Sequence, residues 1–233
     1  MFVSSPSAST KTYSSPSNRN MRNNLELLSA CQAGYSNVVK NLLNNRNVDV
    51  NAKDKNGATA LMKAAAIGHR DCIKQLLTST DILVNDKDAN GATALMRAAA
   101  KGNHVCIETL LNSRKGIDIN ATDNNGQTAL MKAAFHGHQG CIKALLTSTD
   151  IDVNAKDNNE NTALMFAAYN GHHDCIEALL KAENIVINAK EDGRKALMIA
   201  ANNGHHECIK TLLNSLKGID INAKDHNETT ALM

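Results

Sequence analysis

Tryptophan is absent from this chain of 233 residues, phenylalanine and tyrosine supply three residues each, and proline occurs twice. So few large side chains leave little to fill one globular centre, and something other than a single large core must organise the fold. An excess of charge of one sign is missing too: 25 Lys and Arg face 23 Asp and Glu, a formal net charge of +2. That balance is too even for affinity built mainly on phosphate neutralisation, and it argues against nucleic acid as the partner. No apolar run reaches the roughly 18 residues of a membrane-spanning helix, and the opening MFVSSPSASTKTYSSPSN lacks the apolar stretch of a secretory signal. The expectation is a cytoplasmic chain without membrane insertion. Phosphate-cradling Gly loops, a Ser, His and Asp constellation outside the repeats and paired carboxylates at a defined site are also missing. The expectation is therefore no enzyme and no cofactor.

What the chain does contain is repetition. Thr59-Ala60-Leu61 recurs as Thr93-Ala94-Leu95, Thr128-Ala129-Leu130, Thr162-Ala163-Leu164, Lys195-Ala196-Leu197 and Thr230-Ala231-Leu232, at intervals of 34, 35, 34, 33 and 35. A period of this length marks stacked supersecondary units. Within one period, Thr59 stands where a helix N-cap is wanted, Leu61, Met62, Ala64 and Ala65 form an inward face, and Gly68 suits a left-handed C-terminal residue. Cys72, Ile73, Leu76 and Leu77 then predict a second amphipathic helix of about three turns. The remainder, such as residues 112–126, is polar and turn-rich with short β-branched pieces, which suits a hairpin-like projection.

These residues make the chain resemble the ankyrin-repeat family, whose pattern runs roughly D-x-x-G-x-T-P-L-H-x-A-A-x-x-G-H, then a helix ending in Leu-Leu, then V-N-A. Asp88 to His104 carries the match, which recurs from Asp54, Asp123 and Asp157, less cleanly from Glu191 and Asp192, and extends back to about Met21. The resemblance implies an all-α solenoid of stacked helix-turn-helix units with hairpin-like loops. The chain departs from the family where the usual Pro is Ala60, Ala94, Ala129 and Ala163, and where the usual His is Met62, Met96, Met131 and Met165. A thioether there reads as an apolar filler that weakens polar cross-ties. Glu160 and Glu228 replace a glycine suited to positive φ, which predicts looser turns.

The organisation expected is a disordered Ser/Pro-rich tail over 1–20, six repeats over 21–224, and the truncated start of a seventh over 225–233. The repeats divide as 21–53, a cap-like unit built on Leu25, Leu27, Leu28, Ala30, Val38, Val39, Leu42 and Leu43, then 54–87, 88–122, 123–156, 157–190 and 191–224.

Three recurring residue types invite chemistry. Cys72, Cys106, Cys141, Cys175 and Cys208 fall once per unit on the inward face of the second helix, with Cys31 on the first helix of the cap. Helices packed about 8 to 10 Å apart hold neighbouring cysteines beyond disulfide reach, so these read as reduced, buried hydrophobes. His69, His138, His172 and His205 each precede a Cys by three residues, a spacing that shares a helix face, but two ligands per unit do not close a zinc site. No metal is expected. Asn51, Asn85, Asn120, Asn154, Asn188 and Asn222 read as an amide ladder tying loop to loop.

The resemblance implies that partners dock in a groove lined by the loop tips and the outward side of each first helix. Mapped residue by residue, that groove includes Ile67, Lys101, Phe135, His136, Phe166, Tyr169, Asn170, Asn202 and Asn203. Phe135 and Tyr169 occupy one position in adjacent units, so scarce aromatics face outward together as a binding hot spot. The function expected is a non-catalytic, monomeric protein-interaction module or scaffold binding a protein partner. The alternative is the targeting or regulatory part of a larger enzyme or effector, in keeping with a sequence that stops four residues into a helix. An uncovered last unit should fray: amides of Ile209 to Leu213 are expected to exchange faster with deuterium than those of the central units, and equal protection would contradict this.

Overall fold

The computed structural model describes residues 16–45, 47–182, 185 and 196–215. Residues 1–15 of the expected tail, the expected seventh-repeat start at 225–233, and Asn188, Asn222 and Glu228 lie outside them. Twelve helices follow one another among the described residues: α1 (Pro16–Ala33), α2 (Ser36–Leu43), α3 (Ala60–Ile67), α4 (Arg70–Leu76), α5 (Ala94–Ala100), α6 (His104–Leu111), α7 (Ala129–Phe135), α8 (Gln139–Leu145), α9 (Ala163–Tyr169), α10 (His173–Leu179), α11 (Ala196–Asn202) and α12 (His206–Leu213). The odd-numbered helices pack in one row and the even-numbered ones in a second row, each helix against the next of its row and against its own pair. The fold is an all-α solenoid. The second helices are seven or eight residues, nearer two turns than the three that the apolar spacing predicts.

The first helices α3, α5, α7 and α9 start where the sequence places them. Thr59, Thr93, Thr128 and Thr162 hold extended backbone at the N-cap, and each hydroxyl accepts the N–H of the Met three residues on, at 3.3 to 3.4 Å. The methionines do more than fill space. Met62 Sδ accepts the Thr59 N–H at 3.4 Å and Met131 Sδ that of Thr128 at 3.5 Å, so a polarizable sulfur closes the capping box that Glu or Gln usually completes. The expectation of a merely apolar filler is corrected accordingly.

The interior is small and regular. Ala64, Ala65, Ala98, Ala99, Ala133, Ala134, Ala167 and Ala168 are fully buried between rows, which lets helices approach without large side chains. Ile73, Leu76, Ile107, Leu110, Ile142 and Leu145 complete one continuous core from Leu27 to Leu212. Burial of each such Ile or Leu contributes about 1.5 to 3 kcal/mol.

Three expectations need correction. Residues 16–20, expected to belong to the disordered tail, are helical as part of α1, where Pro16 suits a first helical turn because the N–H it lacks has no partner there. Leu25 is 57% exposed and lies outside the core, since Leu27, Leu28, Ala30 and Cys31 carry the inward stripe of α1. Glu160 does not loosen its turn: it adopts φ 63°, donates its N–H to Asp157 O at 3.0 Å as the glycines of other units do, and pairs with Lys156 at 3.0 Å. A non-glycine residue there stores strain of about 1 to 3 kcal/mol. At Gly91 and Gly126 a side chain would also collide, its Cβ falling 2.7 and 2.8 Å from the backbone nitrogens of Asn124 and Asn158.

The asparagine ladder is present. Asn51 donates to Asp81 O at 2.7 Å and accepts from Leu83 N at 2.8 Å; Asn85 does the same with Gly116 O and Asp118 N, and Asn120 with Asp150 O and Asp152 N. Both ends of each amide are used on the next unit's loop. Asn120→Ala is expected to cost about 1 to 3 kcal/mol and lower the melting midpoint by several degrees. An unchanged midpoint in calorimetry would remove the ladder from the forces that hold the stack.

Candidate partner-binding groove

The hairpins owe their shape to one aspartate per unit. Asp54 Oδ1 accepts the N–H of Asn56 and Ala58 at 2.9 and 3.0 Å, Asp54 O accepts from Gly57, and a single antiparallel bridge joins Lys53 to Thr59. Asp88, Asp123 and Asp157 repeat this turn. Successive tips are then stitched by one backbone bond each: Ala89 N to Asn56 O, Asn124 N to Asn90 O, and Asn158 N to Asn125 O, at 3.0 to 3.1 Å.

The other oxygen of each aspartate meets a cation nine residues later on the first helix. Asp54 pairs with Lys63 at 2.8 Å, Asp88 with Arg97, and Asp123 with Lys132 at 2.7 Å. Burial pushes the Asp54 and Asp123 carboxyls up. The ammonium bonds from Lys63 and Lys132, with the turn N–H groups, outweigh it and leave both below the usual aspartate value. The sequence reading missed this recurring Asp-to-cation spacing of nine, although it is visible in three consecutive units. In the next unit Phe166 replaces the cation, and the buried Asp157 takes Gln127 Nε2 at 3.4 Å instead.

Hairpin tips and first helices together form the wall that the resemblance implied. Ile67, Phe135 and Tyr169 are exposed there by 49%, 41% and 58%, and Lys101, His136, Asn202 and Asn203 are exposed as well. Phe166 is half-buried. Phe135 stands edge-on to Phe166, ring centres 5.7 Å apart, and edge-on to His136 at 5.0 Å. Tyr169 makes no ring contact among the described residues, so the ring contact on this wall is Phe135 with Phe166. Asn170 and Asn203 turn back on their own helices, donating to Phe166 O and Ile199 O at 3.0 and 2.8 Å. Between α5 and α7 lies a recess of about 510 Å³ whose lining includes Asn90, Arg97, Ala100, Asn125, Lys132 and His136. Burial holds the His136 imidazole below its usual value, and the neighbouring His138, Lys101, Lys132 and His172 add repulsion.

The other histidines bind the stack together. His69, His172 and His205 precede their helices rather than lying in them, and each Nε2 donates to a carbonyl at the end of the preceding unit's first helix: Gln32 O, Phe135 O and Tyr169 O, at 3.0 to 3.2 Å. Asn103 does this work in the third unit, its amide donating to Ala65 O and Ala66 O. Among the described residues no three His, Cys, Asp or Glu side chains converge as a metal site.

All six cysteines are buried and unpaired. Burial raises Cys31 and Cys141 to about 12 and Cys106 and Cys175 to about 11. Cys31 and Cys72, on neighbouring helices of the first two units, also influence each other's titration, burial being the larger cause for both. Because the thiolate is the nucleophile, an aromatic disulfide reagent at pH 8 is expected to leave the native chain unreacted and to label all six thiols in guanidinium. Prompt labelling of the native protein would show a seam that opens readily.

The repeated, mutually capped helix pair with a stitched hairpin defines a repeat protein of the solenoid class. The chain belongs to the ankyrin-repeat family: the family described as "Ankyrin repeats (3 copies)" matches residues 27–123, 81–157, 112–191 and 149–225. No curated protein matches in sequence. Among solved structures, the human ASB11 ankyrin repeat domain is similar in fold, with a TM-score of 0.74 and 24% identity over 88% of this chain and 89% of that one. Ankyrin repeats are in general protein-interaction units. No helix among the described residues is long and apolar enough to cross a membrane.

Proposed function

We propose that this chain is a monomeric, non-catalytic scaffold that holds a protein partner against the wall formed by its hairpin tips and first helices. The observation that carries this reading is the placement of Phe135, Phe166 and Tyr169, three of the chain's six aromatics, on that wall while the core is built from Ala, Leu, Ile, Met and Cys. Large side chains left partly in water gain most from a partner that covers them. The wall is also tied at every seam by amides, imidazoles and backbone bonds, so little ordering entropy is lost on binding. Six buried, unpaired thiols suit a reducing compartment, which supports a cytoplasmic location.

Replacing Phe135 and Tyr169 together by Ser is expected to lower the melting midpoint by no more than about 4 °C and to abolish partner capture from the native cell. Unfolding of the double variant would assign these rings to stability. A folded variant that still captures the same protein would move the interface elsewhere.

A further inference from the structure

The wall is uneven in charge, and that unevenness selects among partners. Asp88 and Asp123 have side chains that are 0% and 5% exposed, whereas their partners Arg97 and Lys132 are 35% and 22% exposed. Each pair is neutral in sum, but the carboxylate lies beneath and the cation faces the groove. Lys101, at the end of α5, is exposed and has no carboxylate partner among the described residues. His136, at the end of α7, lines the recess with Arg97 and Lys132, and Lys101 stands close enough to His136 to repel it. Burial first, and then repulsion by His138, Lys101, Lys132 and His172, hold the His136 imidazole below its usual value, in keeping with these cations; Asp123 is the carboxylate in the recess lining. One unit further on, the cation column ends: Phe166 stands where Lys63, Arg97 and Lys132 stand, against Phe135 and beside the exposed Tyr169. A cationic recess and an apolar patch are thus neighbours along the stack. Adjacent first helices are about 8 to 10 Å apart, which an extended chain crosses in about three residues.

Resting on the groove reading above, we infer that the occupant is an extended peptide segment carrying an Asp or Glu about three residues from a bulky apolar side chain. The carboxylate sits among Arg97, Lys101 and His136, and the apolar side chain covers Phe135, Phe166 and Tyr169. Charge complementarity sets the register, and the desolvated rings supply the anchor. A basic segment would meet only the exposed faces of cations, since their counter-charges are covered.

The test is selection of a random, unphosphorylated displayed peptide library on the full chain, with affinities of synthetic winners then measured by fluorescence anisotropy. The expected result is enrichment of acidic residues at a fixed short spacing from Leu, Ile, Phe or Trp, with affinity that weakens as salt rises. Lys101→Glu should weaken such a peptide about tenfold or more, and a peptide with its acidic residue changed to Lys should regain binding to that variant. Lys101 is exposed and has no carboxylate partner among the described residues, so the substitution is expected to leave the fold intact, which circular dichroism of the variant checks. Winners that need Phe135 but carry no acidic residue, or that ignore Lys101→Glu, overturn the inference and leave the groove reading standing. Winners indifferent to the Phe135 and Tyr169 double variant overturn both. Preferential binding of a labelled single-stranded oligonucleotide that Lys101→Glu abolishes also overturns the peptide assignment.

Discussion

Everything in this structure depends on the inability of one helix pair to bury its own apolar face. A unit of about 34 residues contributes a stripe of Ala and Met on its first helix and Cys, Ile and Leu on its second, and neither stripe closes on itself. Shelter comes from the copies on either side, so every stabilising contact that leaves a unit reaches to a neighbour. The hydrogen bonds obey the same constraint. Amides of the loop asparagines, imidazoles before the second helices and backbone bonds between hairpin tips all span about one period of sequence and no more.

That constraint explains the composition with which the chain begins. A wide globular centre needs Phe, Trp and Tyr to fill volume, whereas a two-layer stack is only one side chain deep and is filled by Ala against Leu and Ile. Aromatics become free for the surface, and three of the six gather on α7 and α9. Polar residues take over the ordering work: Asp54, Asp88, Asp123 and Asp157 shape turns, Thr starts α3, α5, α7 and α9, and His or Asn caps the end of a preceding unit's first helix.

The periodic parts were legible in the sequence because each physical role recurs at the same offset. Thr caps, inward Cys, positive-φ glycines and the Asn ladder could all be placed from spacing alone. What was not legible depends on contacts between different offsets in different units, or on a single rotamer. The imidazole of His172 reaching Phe135 O needs the rotation of one unit on the next, and the sulfur of Met62 accepting from Thr59 needs one rotamer inside its own helix. The groove was half legible. Exposure of Phe135 and Tyr169 followed from alignment, but the pairing of Phe135 with Phe166 and the retreat of Asn170 and Asn203 onto their own helices depend on side-chain rotamers.

Glu160 shows what nearest-neighbour order means for evolution of such a rod. Its backbone keeps the left-handed turn that glycine would take without strain, and the penalty is confined to one hairpin because nothing carries it further. Copies can therefore drift apart in sequence one at a time, each tolerating its own blemish, while a monolithic domain would spread the same insult through its entire interior. A lineage built this way acquires new surface chemistry by editing single copies, leaving the remainder of the array as ballast.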